Sequence, residues 1–206
     1  MTKKEELLYW SLQAEEAGLC LPRVGNFSIK DREKQRIYIT PSGQDRKKAT
    51  VEDLSILSFS GEWLGGLKPS SEFQMHVKLY QERVDIGGIA HTHSHFGTVL
   101  SVWEKKIPAI VYEVAIFGGE VPVAPYARPG TESLAEIAAQ TLKEADVCLL
   151  AHHGVLSVGS NLEDAYLKAL YVEETAGVYY HALLLGNNPP VIELDEIRAW
   201  KYPQVK

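Results

Sequence analysis

Ile86-Gly87-Gly88-Ile89-Ala90-His91-Thr92-His93-Ser94-His95 is the stretch that decides the fold. Its apolar first half, bounded by glycines, reads as a strand from Ile86 to Thr92. Side chains alternate faces along a strand, so His91 and His93 point the same way from its end. Two imidazoles on one face can grip a metal ion. A second cluster, His152-His153-Gly154, follows another apolar run, Val147 to Ala151. Five of the chain's seven histidines lie in these two segments. If both strands end at one sheet edge, one residue of the second cluster completes a three-histidine site. Zinc bound by three protein ligands keeps its fourth position open, which makes a site catalytic rather than structural.

Outward from these strands the pattern alternates helix and strand. Glu5 to Leu19 reads as a helix, with Leu8, Leu12 and Leu19 near one face and Gly18 near its end. Val24 to Ile29 reads as a strand with a glycine kink, and Arg36 to Thr40 as its neighbour across a charged turn. Leu54 to Phe59 is a strand, followed by a hairpin connection at Gly61 to Gly66. Ser70 or Ser71 would cap a helix from Glu72 to Glu82. Helices are also expected from Phe96 to Trp103, from Thr131 to Glu144, and from Asn161 to about Leu185. Pro189-Pro190 ends the last one before a short tail. The sum is one α/β domain over residues 1–206, with a central, largely antiparallel sheet flanked by helices.

Composition narrows the function. At 206 residues the chain can bury about 70% of its surface as one domain. Apolar residues at 45% and charged residues at 23% are ordinary for a globular protein. A net charge of -6 with no Lys/Arg block leaves no footprint for nucleic acid or anionic membrane. No apolar run approaches a membrane span, and the N-terminus lacks a signal-peptide core. Cys20 and Cys148, the two cysteines, fit a reducing cytoplasm better than a disulfide framework.

Three small-polar segments interleave with the histidines: Gly25-Asn26-Phe27-Ser28, Thr40-Pro41-Ser42-Gly43 and Pro69-Ser70-Ser71-Glu72. Each offers hydroxyls, an amide or glycine N–H groups, and serines at a helix start suit a phosphate. Each alone also serves as an ordinary turn or cap. Glu72 in a first helical turn is either a dipole-favoured surface residue or, beside a metal and a phosphate, a general acid/base.

In this order and spacing, Gly-Asn-x-Ser, Thr-Pro-Ser-Gly, Pro-Ser-Ser-Glu, His-Thr-His and His-His-Gly resemble the class II aldolase/adducin-like family. The resemblance runs from about Gly25 to Leu185. It implies zinc held by His91, His93 and His153, with His152 structural or behind the ligands. It implies a phosphate cradle of Asn26, Ser42, Gly43, Ser70 and Ser71, with Glu72 as acid/base. Tyr112 falls where a tyrosine helps at the aldehyde end; as a plain residue it would be a half-buried strand tyrosine. His95 matches no ligand and reads as surface or support. The implied chemistry is retro-aldol cleavage of a ketose 1-phosphate of the L-fuculose type to dihydroxyacetone phosphate and an aldehyde, through a metal-stabilised enediolate. The implied assembly is a cytoplasmic homotetramer with interfacial sites, where Tyr202 in the short tail would reach a neighbour.

Ser-Ser-Glu rather than Ser-Ser-Asp, and Ile116 where an acid/base aspartate would stand, favour an aldolase over an L-ribulose-5-phosphate 4-epimerase. Gly87 to Ser94 itself reads very like the epimerase. Methylthioribulose-1-phosphate dehydration and a non-catalytic adducin-like role are further alternatives. Intact His91, His93, His153 and Glu72 speak against the last.

Overall fold

The computed structural model describes residues 1–103, 105–186 and 188–200. The elements run α1 (Lys3–Glu16), β1 (Asn26–Asp31), β2 (Arg36–Ile39), β3 (Ser55–Ser58), β4 (Trp63–Gly65), α2 (Phe73–Glu82) and β5 (Gly88–Thr92). They continue with α3 (His95–Trp103), a 3-10 turn (Tyr112–Phe117), β6 (Val123–Ala124), α4 (Glu132–Thr141), β7 (Val147–Leu150), β8 (Gly154–Gly159), α5 (Leu162–Leu184) and α6 (Leu194–Ala199).

One sheet orders the strands β4-β3-β2-β1-β5-β8-β7-β6. Every neighbouring pair is antiparallel except β6 with β7. The expected largely antiparallel α/β domain is therefore the architecture found. Helices cover both faces, so the central strands are apolar on both sides. Along β5 the alternation is visible. Ile89 packs with Met75, Leu79 and Leu134 under α2 and α4. Ala90 packs with Leu7, Phe27 and Ala165 under α1 and α5. In β7, Cys148 and Leu150 face the first layer, whereas Val147 and Leu149 face Leu100, Val172 and Ala176. Both cysteines are buried and unpaired.

Several boundaries move for local reasons. α1 begins earlier than Glu5 because Thr2 and Glu5 form a reciprocal capping box. Its buried stripe is Leu7, Ser11 and Ala14, one turn apart each time, rather than Leu8 and Leu12. The Gly61 to Gly66 connection contains an edge strand, β4, which hydrogen-bonds to β3. Thr131 and Asn161 cap α4 and α5 as expected, accepting from Leu134 N and Asp164 N. α4 ends at Thr141, short of Glu144. The tail after Pro190 carries α6, whose Ile197 is buried against the third layer. None of the described helices is long and apolar enough to cross a membrane.

Candidate active site

The site forms where β5, β1, β7 and β8 end together and α2 begins. His91 pairs with Asn26 of β1 on one side and Leu156 of β8 on the other. This double pairing fixes its backbone in the middle of the sheet. Its Nδ1–H donates to the Val155 carbonyl at 2.9 Å, which leaves Nε2 as a lone pair facing the site. His93 follows β5 on the same face, with Nε2 3.0 Å from His91 Nε2.

His153 sits in the tight turn between β7 and β8, with Nε2 3.3 Å from His91 Nε2. Gly154 makes this approach possible, because a Cβ there would lie 2.4 Å from the Thr92 carbonyl oxygen. His152 before it takes a left-handed φ of 55°, and its exposed side chain turns to Tyr126 instead. The structure thus brings together His91, His93 and His153. His95 is exposed at the start of α3, with its ring against Phe96.

Glu72 completes the cluster. It occupies the N-cap of α2 with no side-chain bond to the helix. Ser70 Oγ accepts from the Glu72 N–H instead, at 3.3 Å, so the expected serine cap acts two positions before the cap. The Glu72 carboxylate is free to turn inward. Its Oε2 lies 3.3 Å from His91 Nε2 and its Oε1 3.4 Å from His153 Nε2. Asn26 Nδ2 donates to Oε2 at 2.8 Å, while Oε1 is buried with no hydrogen bond.

The four donor atoms lie within 4.8 Å of one another. Ligand nitrogens about 2.0–2.1 Å from a tetrahedral ion stand about 3.3 Å apart. The His91–His93 and His91–His153 nitrogen spacings, 3.0 and 3.3 Å, are compatible with that figure. Burial, followed by the neighbouring imidazoles, pushes His93 down to about 3 and His153 to about 4. Both rings are therefore neutral near pH 7, which is the ligating form. Burial alone would raise the Glu72 carboxyl. The His91 and His153 imidazoles and the Asn26 amide outweigh it and hold the group well below the usual carboxylate range.

The hydroxyl and glycine loops lie beside this cluster. A bridge between Pro41 and Pro69 ties them, with Ser42 N–H donating to Lys68 O and Ser70 N–H to Thr40 O. Asn26 and Ser70 are buried; Ser42, Gly43 and Ser71 are exposed. Gly25, at φ 77°, lets the chain enter β1, since a Cβ there would meet Cys20 Sγ at 2.6 Å and His91 O at 2.7 Å.

Sequence reading missed two residues here. Arg46, in the loop between β2 and β3, is buried and donates to the Val24 and Gly25 carbonyls at 2.5 and 2.9 Å. It also pairs with Glu15, so it braces the segment that leads into Asn26. His76 is wholly buried and bonds Asn26 Oδ1 at 2.5 Å. Its signal was the four-residue spacing from Glu72.

Tyr112 differs from expectation. It opens the 3-10 turn rather than a strand and is 55% exposed. Pro108 and the left-handed Gly118 that caps the turn suit irregular backbone, not a sheet. Its ring contact is with Trp200, at 5.2 Å between centroids, rather than with Glu72 or the histidines. Tyr202 lies outside the described residues.

Residues 5–180 match the family described as Class II Aldolase and Adducin N-terminal domain. The 5-methylthioribulose-1-phosphate/5-deoxyribulose-1-phosphate aldolase of Rhodospirillum rubrum is 37% identical over 186 residues, covering 90% of this chain and 83% of that protein. The 5-deoxy-D-ribulose 1-phosphate aldolase of Bacillus thuringiensis serovar kurstaki is 34% identical, covering 95% and 92%. A solved L-fuculose 1-phosphate aldolase superposes with a TM-score of 0.92 at 37% identity, covering 96% of this chain and 93% of that one. The chain belongs to the class II aldolase and adducin family. Within it, the named relatives make this an enzyme of the class II aldolase type, a carbon–carbon lyase. Its Glu72 and three histidines could hold the metal on which such aldolases depend.

Proposed function

We propose that the protein cleaves a ketose 1-phosphate between C3 and C4, giving dihydroxyacetone phosphate and an aldehyde. The carrying observation is the convergence of three imidazole nitrogens and one carboxylate beside loops rich in neutral hydrogen-bond donors. A zinc-type ion at His91, His93 and His153 would supply Lewis-acid stabilisation of the negative charge that develops as the bond breaks.

The protein's own groups do the rest. Asn26, Ser42, Gly43, Ser70 and Ser71 bind the phosphate through uncharged donors, as no Lys or Arg falls within these motifs. That fixes the three-carbon end against Glu72. In cleavage the Glu72 carboxylate takes up the proton that leaves the C4 hydroxyl, the C3–C4 bond breaks with C4=O formed and its electron pair left at C3, and Glu72 delivers that proton to C3. As a carboxylate held in place by the Asn26 amide, Glu72 can begin aldol addition as a base.

Tyr112 and Trp200 make an exposed aromatic pair on this chain. We assign the Tyr112 hydroxyl to the aldehyde end of a neighbouring copy's site in a homotetramer; light scattering at about four chain masses is the expected result. A monomer with full activity would sink that assignment. The reaction is tested by a retro-aldol assay over L-fuculose 1-phosphate, 5-deoxyribulose 1-phosphate and methylthioribulose 1-phosphate, with release of dihydroxyacetone phosphate as the readout. Turnover of at least one is expected. Interconversion of L-ribulose and D-xylulose 5-phosphates without cleavage would replace this reading with an epimerase.

A further inference from the structure

Behind Glu72 the protein buries a line of polar side chains where α2 crosses β1. Glu72, His76 and Tyr80 recur every four residues on one face of α2. Asn26 and Ser28 recur every two on the α2 side of β1, while Phe27 and Ile29 face α1 and α5. Four helical residues advance about 6 Å and two strand residues about 6.6 Å. The two repeats therefore stay in step, and the groups interleave. Asn26 Nδ2 bonds Glu72 Oε2 at 2.8 Å, and His76 Nε2 bonds Asn26 Oδ1 at 2.5 Å. Ser28 Oγ bonds His76 Nδ1 at 2.7 Å, and the Tyr80 hydroxyl lies 2.9 Å from Ser28 Oγ and 3.0 Å from Ser28 O. All five residues are at most 7% exposed.

The donors in this ladder can run in one direction only. A carboxylate accepts, so Asn26 presents its NH2 to Glu72 and its oxygen to His76. His76 must then carry its proton on Nε2, and Nδ1 must accept from the Ser28 hydroxyl. The single Ser28 proton is thereby used, and Tyr80 becomes the donor at the far end. Burial pushes His76 down to about 3, which agrees with a neutral ring. Each group locks the orientation of the next, and the last lock falls on Glu72 Oε2.

We propose that His76 is a positioning residue for the reaction: by holding the Asn26 amide unflipped, it fixes Glu72 so that Oε1 alone carries the reacting proton. Oε2 accepts the Asn26 N–H in both protonation states of Glu72. The proton therefore resides on Oε1, the oxygen with no hydrogen bond, and passes from there to C3, leaving the carboxylate behind. Without the His76 donor the Asn26 amide can flip, and its oxygen then faces Glu72. This inference rests on the proton-carrying role assigned to Glu72 above.

The test compares His76→Gln, whose terminal amide can place a donor where Nε2 sits, with His76→Met, which cannot. The metal-loaded enzyme is assayed for exchange of the C3 proton of dihydroxyacetone phosphate with heavy water, together with metal content and melting temperature. His76→Met should lose at least about tenfold in kcat, as misplaced catalytic groups do, with bound metal as in the wild type and KM raised as well, because a flipped Asn26 amide also withdraws its donor from the phosphate. His76→Gln should stay within about threefold of the wild type. Wild-type exchange in His76→Met, or equal losses in both variants that track melting temperature, would overturn the proposal. Glu72→Gln in the same assay separates the two ideas. If it still exchanges, the role of Glu72 is wrong; if it is dead while His76→Met is normal, only the ladder fails. Nitrogen-15 NMR of the wild-type, metal-free protein adds a test that needs no variant. It should show His76 protonated at Nε2, and protonation at Nδ1 would overturn the donor direction.

Discussion

The histidine end of the site and the loops proposed to bind phosphate are built by different means. His91 is held by a strand on each side, and Asn26 sits across from it in the same ladder. Their side chains are buried and oriented before any ligand arrives. Ser42, Gly43 and Ser71 sit on turns, exposed to water, tied to each other by a few backbone bonds. A metal needs several donors at fixed short distances, which strand pairing can set. A phosphate is served by N–H and hydroxyl groups that water can satisfy until it binds. On the proposed reading, the chemistry falls on the rigid part, and recognition is shared between buried Asn26 and Ser70 and the solvated turn residues.

The widest break between the two regions should come at the proposed metal ligands. His91→Ala, His93→Ala and His153→Ala are each expected to abolish bound metal and cleavage, whereas His152→Ala keeps most of both. Metal analysis of the purified variants decides it, and metal lost in His152→Ala but kept in His153→Ala would reverse the assignment. Next comes Glu72→Gln, which is expected to preserve shape and metal but removes the carboxylate proposed to carry the proton. Its cleavage rate should fall on the order of 10² or more, by steady-state assay against metal content.

On the loop side the expected effect is smaller and of another kind. Ser71→Ala should raise KM about tenfold, in line with one hydrogen bond to a charged group, at about 1.5–3 kcal/mol. Its kcat should stay nearly unchanged, because binding is lost equally from ground and transition states. A fall in kcat at constant KM would place Ser71 in the chemistry instead.

The gentlest probe is acid. His76 is pushed down to about 3 by burial, against 6.5 for a free histidine. Above pH 6.5 neither the folded nor the unfolded chain binds the proton, so the group has no effect on stability. Below it, the unfolded chain takes a proton that the folded one refuses. Stability is therefore lost as pH falls from 6.5 toward about 3, by up to ~1.4 kcal/mol per pH unit. Urea midpoints of the metal-free protein between pH 7.5 and 5 should fall more steeply for the wild type than for His76→Gln. Parallel slopes would mean that His76 is not buried neutral.

The sequence by itself determined much of this protein. Alternation along Ile86 to Thr92 and Val147 to Ala151 showed strands ending in histidines, because a period of two is written locally. Thr131 and Asn161 marked helix starts, because a cap bonds N–H groups only three residues away. The ordered motifs pointed to the family to which the chain belongs. Tertiary structure alone decided what depends on distant partners. His153 and not His152 meets His91 and His93 because a left-handed residue and Gly154 turn the chain between two strands. Residue type could not tell adjacent histidines apart without the resemblance. The burial of Arg46 against the Val24 and Gly25 carbonyls is set by how α1 and β1 pack. His76 looked like any helix residue. Its place beside Asn26 exists only because a helix advancing about 6 Å in four residues is laid on a strand advancing about 6.6 Å in two.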